Sequence, residues 1–189
     1  MNVLALEGGF AAPPLQSARA FRRVLEALAR PGRIERLEGA APPPPLSPAA
    51  GVLALVLFGP DTPVHLAPGH DTPQIRDWLA FHTGAPLVPA GEAAFAIGNW
   101  GALQPVSRFH PGDAEYPDRA ATLIVEMDRL AGEGARLTGP GIAREAHLNL
   151  PETAAFRANR ARFPLGFDTF LTAGDRVAGL PRSTRVEAC

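Results

Sequence analysis

The residue types best suited to chemistry lie near the C-terminus, in a polar cluster at 181–185 (Pro-Arg-Ser-Thr-Arg). Arg182 offers a guanidinium, and Ser183 and Thr184 offer hydroxyls. Such donors bind phosphate through charge-assisted hydrogen bonds, and arginine binds it with two parallel bonds. The cluster therefore predicts a site for a phosphate or for a partner's carboxylate. The alternative interpretation is a strand exit whose side chains cap nearby backbone.

A second candidate is the short segment 137–142, Leu-Thr-Gly-Pro-Gly-Ile. Thr138, Gly139 and Gly141 are small, and small residues leave backbone N–H groups free to face an anion. The segment predicts a phosphate-cradling loop. A strand-ending turn is the competing interpretation, because short glycine motifs are common for structural reasons.

Two further sets could bind a partner. Arg22 and Arg23 lie on the outward side of a predicted helix, where they form either a docking surface or ordinary solvated charge. His82 lies where another predicted helix ends. A histidine there is typical of a helix C-terminal cap, with catalysis as the alternative.

The histidines do not form a metal-binding pattern. The five of them, at 65, 70, 82, 110 and 147, give neither HxxxH nor HExxH spacing. His110 lies near Asp113, Glu115 and Asp118, and we interpret that segment as a solvated acidic loop. The sequence also has no G-x-S-x-G elbow and no G-x-G-x-x-G fingerprint. We therefore predict no catalytic residue and no metal site.

The chain has no lysine, so all 18 basic residues are arginine. Catalysis through a pyridoxal phosphate Schiff base is excluded, because the aldimine needs a lysine amine. A P-loop is also excluded, because its G-x-x-x-x-G-K-[ST] motif contains a lysine. The formal net charge of −1 gives no field that would recruit nucleic acid or an anionic membrane.

The remaining bulk features predict a cytoplasmic protein. The one cysteine, Cys189, allows no intrachain disulfide. Segment 1–14 has no positive side chain and is not typical of a signal peptide. The longest apolar run, 49–58, is too short to span a bilayer, and its periodicity fits a helix or a strand.

Two helices and several strands must position the candidate residues. Apolar residues at helical spacing predict a helix over 15–30, capped by Ser17 and stopped by Pro31-Gly32. Thr72-Pro73 predicts the start of a second helix that runs to His82. Its predicted inner face is Ile75, Trp78 and Leu79. The apolar side of the first helix is Leu15, Ala18, Phe21, Val24, Leu25 and Leu28, and its charged side is Arg19, Arg22, Arg23, Glu26 and Arg30.

The rest of the chain alternates between short extended and helical segments. Segment 121–127 predicts a strand buried on both faces. Segment 167–180 predicts a hairpin with Gly174-Asp175 in its turn, and 98–117 predicts a loop. Interleaved helices and strands favour a single α/β domain over 1–189 with a mixed sheet. Other predicted strands are 33–37, 64–66, 86–88, 94–97 and 136–138, with a further helix over 152–162.

Six blocks in order resemble the PhnH family, a subunit of the bacterial carbon–phosphorus lyase system. They span nearly the whole chain, and the last is the most specific. The blocks are FRRVLEAL at 21–28 with Pro31-Gly32, DTPV at 61–64, FHTGAPLV at 81–88, ATLI at 121–124, RLTGPGI at 136–142, and FPLG through LPRST over 163–184.

The resemblance implies a role in phosphonate catabolism. Such a subunit would assemble with PhnG, PhnI and PhnJ. With PhnG, PhnI and PhnL it would support formation of α-D-ribose 1-methylphosphonate 5-triphosphate, in which methylphosphonate displaces adenine from ATP. An accessory role is implied, with a catalytic or nucleotide-binding role through Arg182, Ser183 and Thr184 as the alternative. The resemblance also implies a homodimer, and a three-layer α/β/α sandwich similar to pyridoxal-phosphate-dependent transferases but without that cofactor.

Overall fold

The computed structural model describes residues 7–188. Cys189 lies outside the described residues, and so does part of segment 1–14, so the predictions on them are not tested. The helices are α1 (Pro13–Ala29), α2 (Pro48–Leu57), α3 (Pro73–Thr83), α4 (Trp100–Leu103) and α5 (Ala154–Ala161). The strands are β1 (Ile34–Arg36), β2 (Val64–Leu66), β3 (Phe95–Asn99), β4 (Thr122–Glu126), β5 (Ala135–Thr138), β6 (Ala146–Leu148), β7 (Asp168–Ala173), β8 (Arg176–Leu180) and β9 (Arg185–Glu187).

The main sheet is mixed, as predicted. Its order is β1-β8-β7-β4-β3-β2. Strands β2, β3, β4 and β7 run parallel, whereas β8 pairs antiparallel with both β7 and β1. A second, antiparallel sheet has the order β6-β5-β9, which the sequence analysis did not foresee as a separate sheet.

Apolar side chains cover both faces of the main sheet. Consecutive residues of β4 alternate between two clusters, because side chains of a strand point to opposite faces. Ile124 packs in the cluster that holds α1, α2 and α3, and Leu123 and Val125 pack in the cluster that holds β5, β6, β9, α4 and α5. All three side chains are fully buried, which confirms the predicted double-sided burial of this strand.

The first helix differs from its prediction. It begins at Pro13 after Ala12, so Ser17 lies in its interior and does not cap it. Its buried face consists of Ala20, Val24 and Ala27. Small residues are buried because α1 approaches β8 closely: a Cβ at Gly179 would lie 2.6 Å from the Ala27 carbonyl oxygen. The predicted apolar side is therefore largely exposed, including Leu15, Phe21 and Leu25.

The structure settles the ambiguous run 49–58 as a helix. Ser47 precedes α2, and its hydroxyl accepts the Ala50 N–H at 3.2 Å. The third helix matches its prediction, since Thr72 accepts the Ile75 N–H at 3.2 Å and the side chains of Ile75, Trp78 and Leu79 are fully buried. Among residues 7–188, no helix is long and apolar enough to cross a membrane.

Most of the short elements match their predictions within two residues. The hairpin forms as β7 and β8, with Gly174 in the turn at a φ of +59°. Two predictions were wrong in part. Segment 98–117 contains the end of β3, α4 and one 3-10 turn as well as loop. Segment 86–88 forms only an isolated bridge between Leu87 and Val64.

Candidate functional site

The two predicted phosphate-binding segments are neighbours in space. Thr138 at the end of β5 pairs with Arg185 of β9, which follows the C-terminal cluster directly. A Cβ at Gly139 would lie 3.3 Å from the Ser183 carbonyl oxygen and 3.7 Å from the Thr184 Cα. The segments therefore pack backbone against backbone at one end of the second sheet.

The Arg182 guanidinium already has a carboxylate partner within the chain. Its Nη2 lies 2.5 Å from Asp168 Oδ2, and its Nε lies 3.1 Å from Oδ1. Its Nη1 donates to the Pro117 carbonyl at 2.7 Å, and its backbone N–H donates to Asp168 Oδ1 at 2.8 Å. The side chain is only 12% exposed. Asp168 thus occupies the position that the sequence analysis gave to a phosphate or a partner's carboxylate.

The two hydroxyl residues of the cluster lie in a tight turn. The Thr184 N–H donates to the Pro181 carbonyl at 2.9 Å, and Thr184 is 2% exposed. Its Oγ1 has no hydrogen-bond partner among residues 7–188. Ser183 is half-buried. A buried hydroxyl is not reached by a solvent-borne ligand, so Ser183 is the accessible hydroxyl of the pair.

The glycine segment closes a turn against the end of α1. The Ile142 N–H donates to the Gly139 carbonyl at 3.1 Å. Gly141 has a φ of +81°, and a Cβ there would lie 1.9 Å from the Ala29 carbonyl oxygen. The local geometry agrees with the strand-ending turn, which was the alternative interpretation of this segment.

His82 has a structural contact different from the predicted cap. Gly84, in the left-handed conformation, ends α3. The His82 Nε2 lies 3.1 Å from the carbonyl oxygen of Glu7, which also accepts the Trp78 indole N–H at 3.0 Å. His82 lies in the last turn of α3, as predicted, and its ring contacts the segment before α1.

The neighbouring arginines of α1 have different surroundings. Arg22 is exposed and makes no ion pair or side-chain hydrogen bond within residues 7–188. Arg23 Nη1 lies 2.7 Å from the buried carboxylate of Glu35, while the Arg23 side chain remains 59% exposed. The two residues, predicted as one set, therefore belong to separate surfaces.

Within the described part of the chain, no group of three or more His, Cys, Asp or Glu residues could hold a metal ion. The His110 Nδ1 accepts the Gly112 N–H at 3.0 Å, and Asp113 Oδ1 accepts the N–H groups of Glu115 and Tyr116. These contacts are local to the loop, which agrees with its interpretation as a solvated acidic segment.

One of the five histidines, His70, is buried, which its sequence context did not indicate. His70 follows β2 and is 5% exposed, and neither ring nitrogen has a hydrogen-bond partner among residues 7–188. Burial lowers the pKa of the His70 imidazole below its ordinary value, and the nearby Glu126 carboxylate opposes that shift. The neutral ring is therefore favoured in the folded state.

We expect the free energy of unfolding to fall as the pH falls below about 6.5, the ordinary pKa of histidine. The unfolded chain then binds a proton at His70 more readily than the folded chain does, and the loss ends below the folded pKa. For one group, the slope is at most about 1.4 kcal/mol per pH unit. Urea unfolding between pH 5 and pH 8 measures it.

The comparison variant is His70→Gln, which cannot take up a proton. Its unfolding free energy should decline less steeply below about pH 6.5 than that of the unaltered chain. Equal slopes in the two proteins would show that His70 does not contribute to the acid sensitivity.

Two carboxylates that organise the surface were also missed. Asp168 lies 14 residues before Arg182, and the hairpin register, which pairs Thr169 with Leu180, brings them together. The predicted hairpin turn could have supplied that signal. Glu35 lies in a strand of three residues, and its pairing with Arg23 had no sequence signal beyond opposite charge.

Comparisons with known proteins identify the general class first. The chain shares 42% identity over 189 residues with the α-D-ribose 1-methylphosphonate 5-triphosphate synthase subunit PhnH of Rhizobium meliloti (strain 1021), covering 95% of this chain and 94% of that protein. It shares 32% identity over 197 residues with a protein of Stutzerimonas stutzeri named as a C-P lyase subunit, HtxG, covering 95% of each. The class is therefore that of phosphonate metabolism proteins.

The particular family follows from a third comparison. The family described as bacterial phosphonate metabolism protein (PhnH) matches residues 8–187. The chain belongs to the PhnH family.

Proposed function

We propose that this chain is the PhnH subunit of a carbon–phosphorus lyase system. In that role it supports formation of α-D-ribose 1-methylphosphonate 5-triphosphate from ATP and methylphosphonate, with release of adenine. The observation that carries the proposal is 42% identity to a subunit of that name over nearly the full length of both chains. Near-complete coverage matters because it leaves no large domain of the relative without a counterpart.

The contacts of the predicted anion site favour an accessory role. A phosphate bound by Arg182 would have to displace Asp168, which already makes two side-chain hydrogen bonds to the guanidinium. The alternative, a nucleotide or phosphonate site formed by Arg182, Ser183 and Thr184, therefore has less support than it had from the sequence. No residue is proposed as catalytic, and no pyridoxal phosphate Schiff base is proposed because the chain has no lysine.

The proposal extends to partners and location. We propose a cytoplasmic subunit that forms a homodimer and binds PhnG, PhnI and PhnJ. We also propose the three-layer α/β/α arrangement and the likeness to pyridoxal-phosphate-dependent transferases. Helices α1, α2 and α3 pack on one face of the mixed sheet, and α4 and α5 pack on the other face together with the second sheet. The presence of helices on both faces supports the layering.

An exposed apolar surface on α1 supports the partner proposal. Leu15, Phe21 and Leu25 are 53%, 44% and 49% exposed. Phe21 and Leu25 are four residues apart and therefore lie on one face of the helix. Apolar residues grouped on an exposed face are typical of protein interfaces. We assign the surface of Leu15, Phe21 and Leu25, here called the α1 face, to subunit contact.

Reconstitution tests the proposed function. Co-expression with PhnG, PhnI and PhnJ should give a complex that contains this chain. Adding PhnL, ATP and methylphosphonate should then give adenine release that depends on the chain. The double variant Phe21→Glu/Leu25→Glu should lose assembly while keeping its stability, because exposed positions tolerate substitution within about 0.5 kcal/mol.

The matched control is Phe163→Glu. Phe163 is 50% exposed and follows α5, whose Phe156 packs in the other apolar cluster. This variant should assemble normally. Failure of the unaltered chain to associate with the companion subunits, or unchanged adenine release without it, would contradict the proposed function. Equal loss of assembly in both variants would contradict only the assignment of the α1 face to subunit contact, and it would leave the proposed function standing.

A further inference from the structure

An open groove of about 790 Å³ lies between α1 and β1. Strand β1 is an edge strand of the main sheet and pairs with β8. Four residues of α1 at three- and four-residue spacing form one wall, and the opposite wall is 33–39, which contains β1. The residues of the α1 wall are Gln16, Arg19, Ala20 and Arg23.

The charged side chains of the groove are mostly arginine. Four arginines and two glutamates line it, which leaves a formal excess of two positive charges. The whole chain has a net charge of −1, so the groove is a local reversal of the overall charge. The arginines are Arg19, Arg23, Arg33 and Arg36, and the glutamates are Glu35 and Glu38.

A buried carboxylate holds two of these guanidiniums in place. The Glu35 side chain is 3% exposed; its Oε2 lies 2.7 Å from Arg23 Nη1, and its Oε1 lies 2.5 Å from Arg33 Nε. A buried carboxylate needs such partners, because an unpaired buried charge is costly. Arg23 uses one of its five N–H donors here and stays 59% exposed, while Arg33 stays 47% exposed. Arg33 Nη1 also lies 3.5 Å from Glu26 Oε2. Glu35 therefore preorganises two guanidiniums, and the Arg23 guanidinium is the more available of the two for a ligand.

The other two arginines are weakly neutralised. Arg19 makes no ion pair and no side-chain hydrogen bond with any residue of 7–188. Arg36 has Asp175 as its ion-pair partner at 3.7 Å and is 65% exposed. The α1 wall thus supplies the Arg19 guanidinium, which has no ion-pair partner within residues 7–188, and the 33–39 wall supplies the weakly paired guanidinium of Arg36.

We propose that this groove binds an oligophosphate anion, with two or more linked phosphoryl groups. Guanidinium binds phosphate oxygens with two parallel hydrogen bonds, and four arginines on two walls match an extended, multiply charged ligand. The groove also has the volume of a typical small-molecule site. The site goes beyond the proposed function, since it uses neither the C-terminal cluster nor the α1 face.

Titration calorimetry on the full chain tests the site with inorganic tripolyphosphate as the probe. Binding should be measurable at low ionic strength and should weaken as salt is added. Arg19→Gln should weaken it about tenfold, because it removes charge-assisted hydrogen bonds from the ligand. The fold should be unchanged, since Arg19 has no side-chain partner within residues 7–188. ATP should compete with tripolyphosphate, whereas adenosine should not.

Arg22→Gln is the matched control, because Arg22 is an exposed arginine of the same helix that does not line the groove. It should leave binding unchanged. Absence of tripolyphosphate binding, or an equal loss in Arg19→Gln and Arg22→Gln, would overturn the proposal. So would competition by adenosine as strong as that by ATP. The calorimetry uses the isolated chain, whereas the adenine-release test uses the reconstituted complex. A failure to bind tripolyphosphate would therefore not by itself contradict the proposed function.

Discussion

Replacing Gly141 by alanine is expected to destabilise the protein by about 3–5 kcal/mol, through backbone strain and overpacking together. The backbone has a φ of +81°, and the new Cβ would lie 1.9 Å from the Ala29 carbonyl oxygen at the end of α1. The position of the Cβ is fixed by the backbone, and the oxygen belongs to the main chain, so no side-chain rotation relieves the clash. Urea unfolding followed by circular dichroism measures the loss.

Gly174→Ala separates the two causes. Gly174 also has a positive φ, +59°, but a Cβ there would meet no atom within 4 Å. We expect a loss of about 1 kcal/mol from the left-handed conformation alone. If Gly141→Ala lost no more than Gly174→Ala, the close approach of the 137–142 segment to α1 would be wrong. A large difference would show that Gly141 serves packing, whatever else the segment binds.

Replacing Arg182 by alanine is the second large effect, and we expect a loss of about 2–3 kcal/mol of unfolding free energy. The variant leaves the Asp168 carboxylate without its guanidinium partner. It also removes one of two donors to the Pro117 carbonyl, which keeps the Ala120 N–H at 3.3 Å. The figure lies at or below the low end for a broken buried pair because the Asp168 side chain is 26% exposed. Arg185→Ala, an exposed arginine in β9, should change stability by less than about 0.5 kcal/mol.

A double-mutant cycle tests whether Arg182 acts through Asp168. Asp168→Ala alone should also destabilise the chain, and Arg182→Ala/Asp168→Ala should lose clearly less than the sum of the two single losses. Additive losses would contradict the pairing. This result also governs functional tests, because a loss of adenine release in Arg182→Ala reports on ligand binding only where the variant is still folded.

Local pattern predicted much of the fold. The Thr72-Pro73 start of α3, its inner face and the 167–180 hairpin all match, because caps, helical spacing and turn residues depend on neighbours within a few positions. The ambiguous run 49–58 needed the structure, since a continuous apolar run fits a buried helix and a buried strand equally. The second sheet was missed because β6 and β9 have only three residues each, and β9 pairs with β5 from a distant part of the chain.

The first helix shows where pattern reasoning fails. Helical spacing of its apolar residues was real, but Phe21 and Leu25 are exposed and the core takes Ala20 and Ala27. The close approach of α1 to Gly179 decides this, because only small side chains fit between a helix and a strand at that distance. The apolar side of the helix then remains on the surface.

The sequence by itself determined the family, the α/β class, the main helices and the absence of lysine chemistry, since each is written in composition or in short contiguous motifs. Only the tertiary structure decided what the charged and glycine residues do. Arg182 meets Asp168 rather than solvent, Arg23 meets Glu35, and Gly141 meets Ala29. The hairpin turn could have indicated Asp168 as the partner of Arg182. The partners of Arg23 and Gly141 depend on how other segments pack against α1, and no spacing rule along the chain encodes that packing.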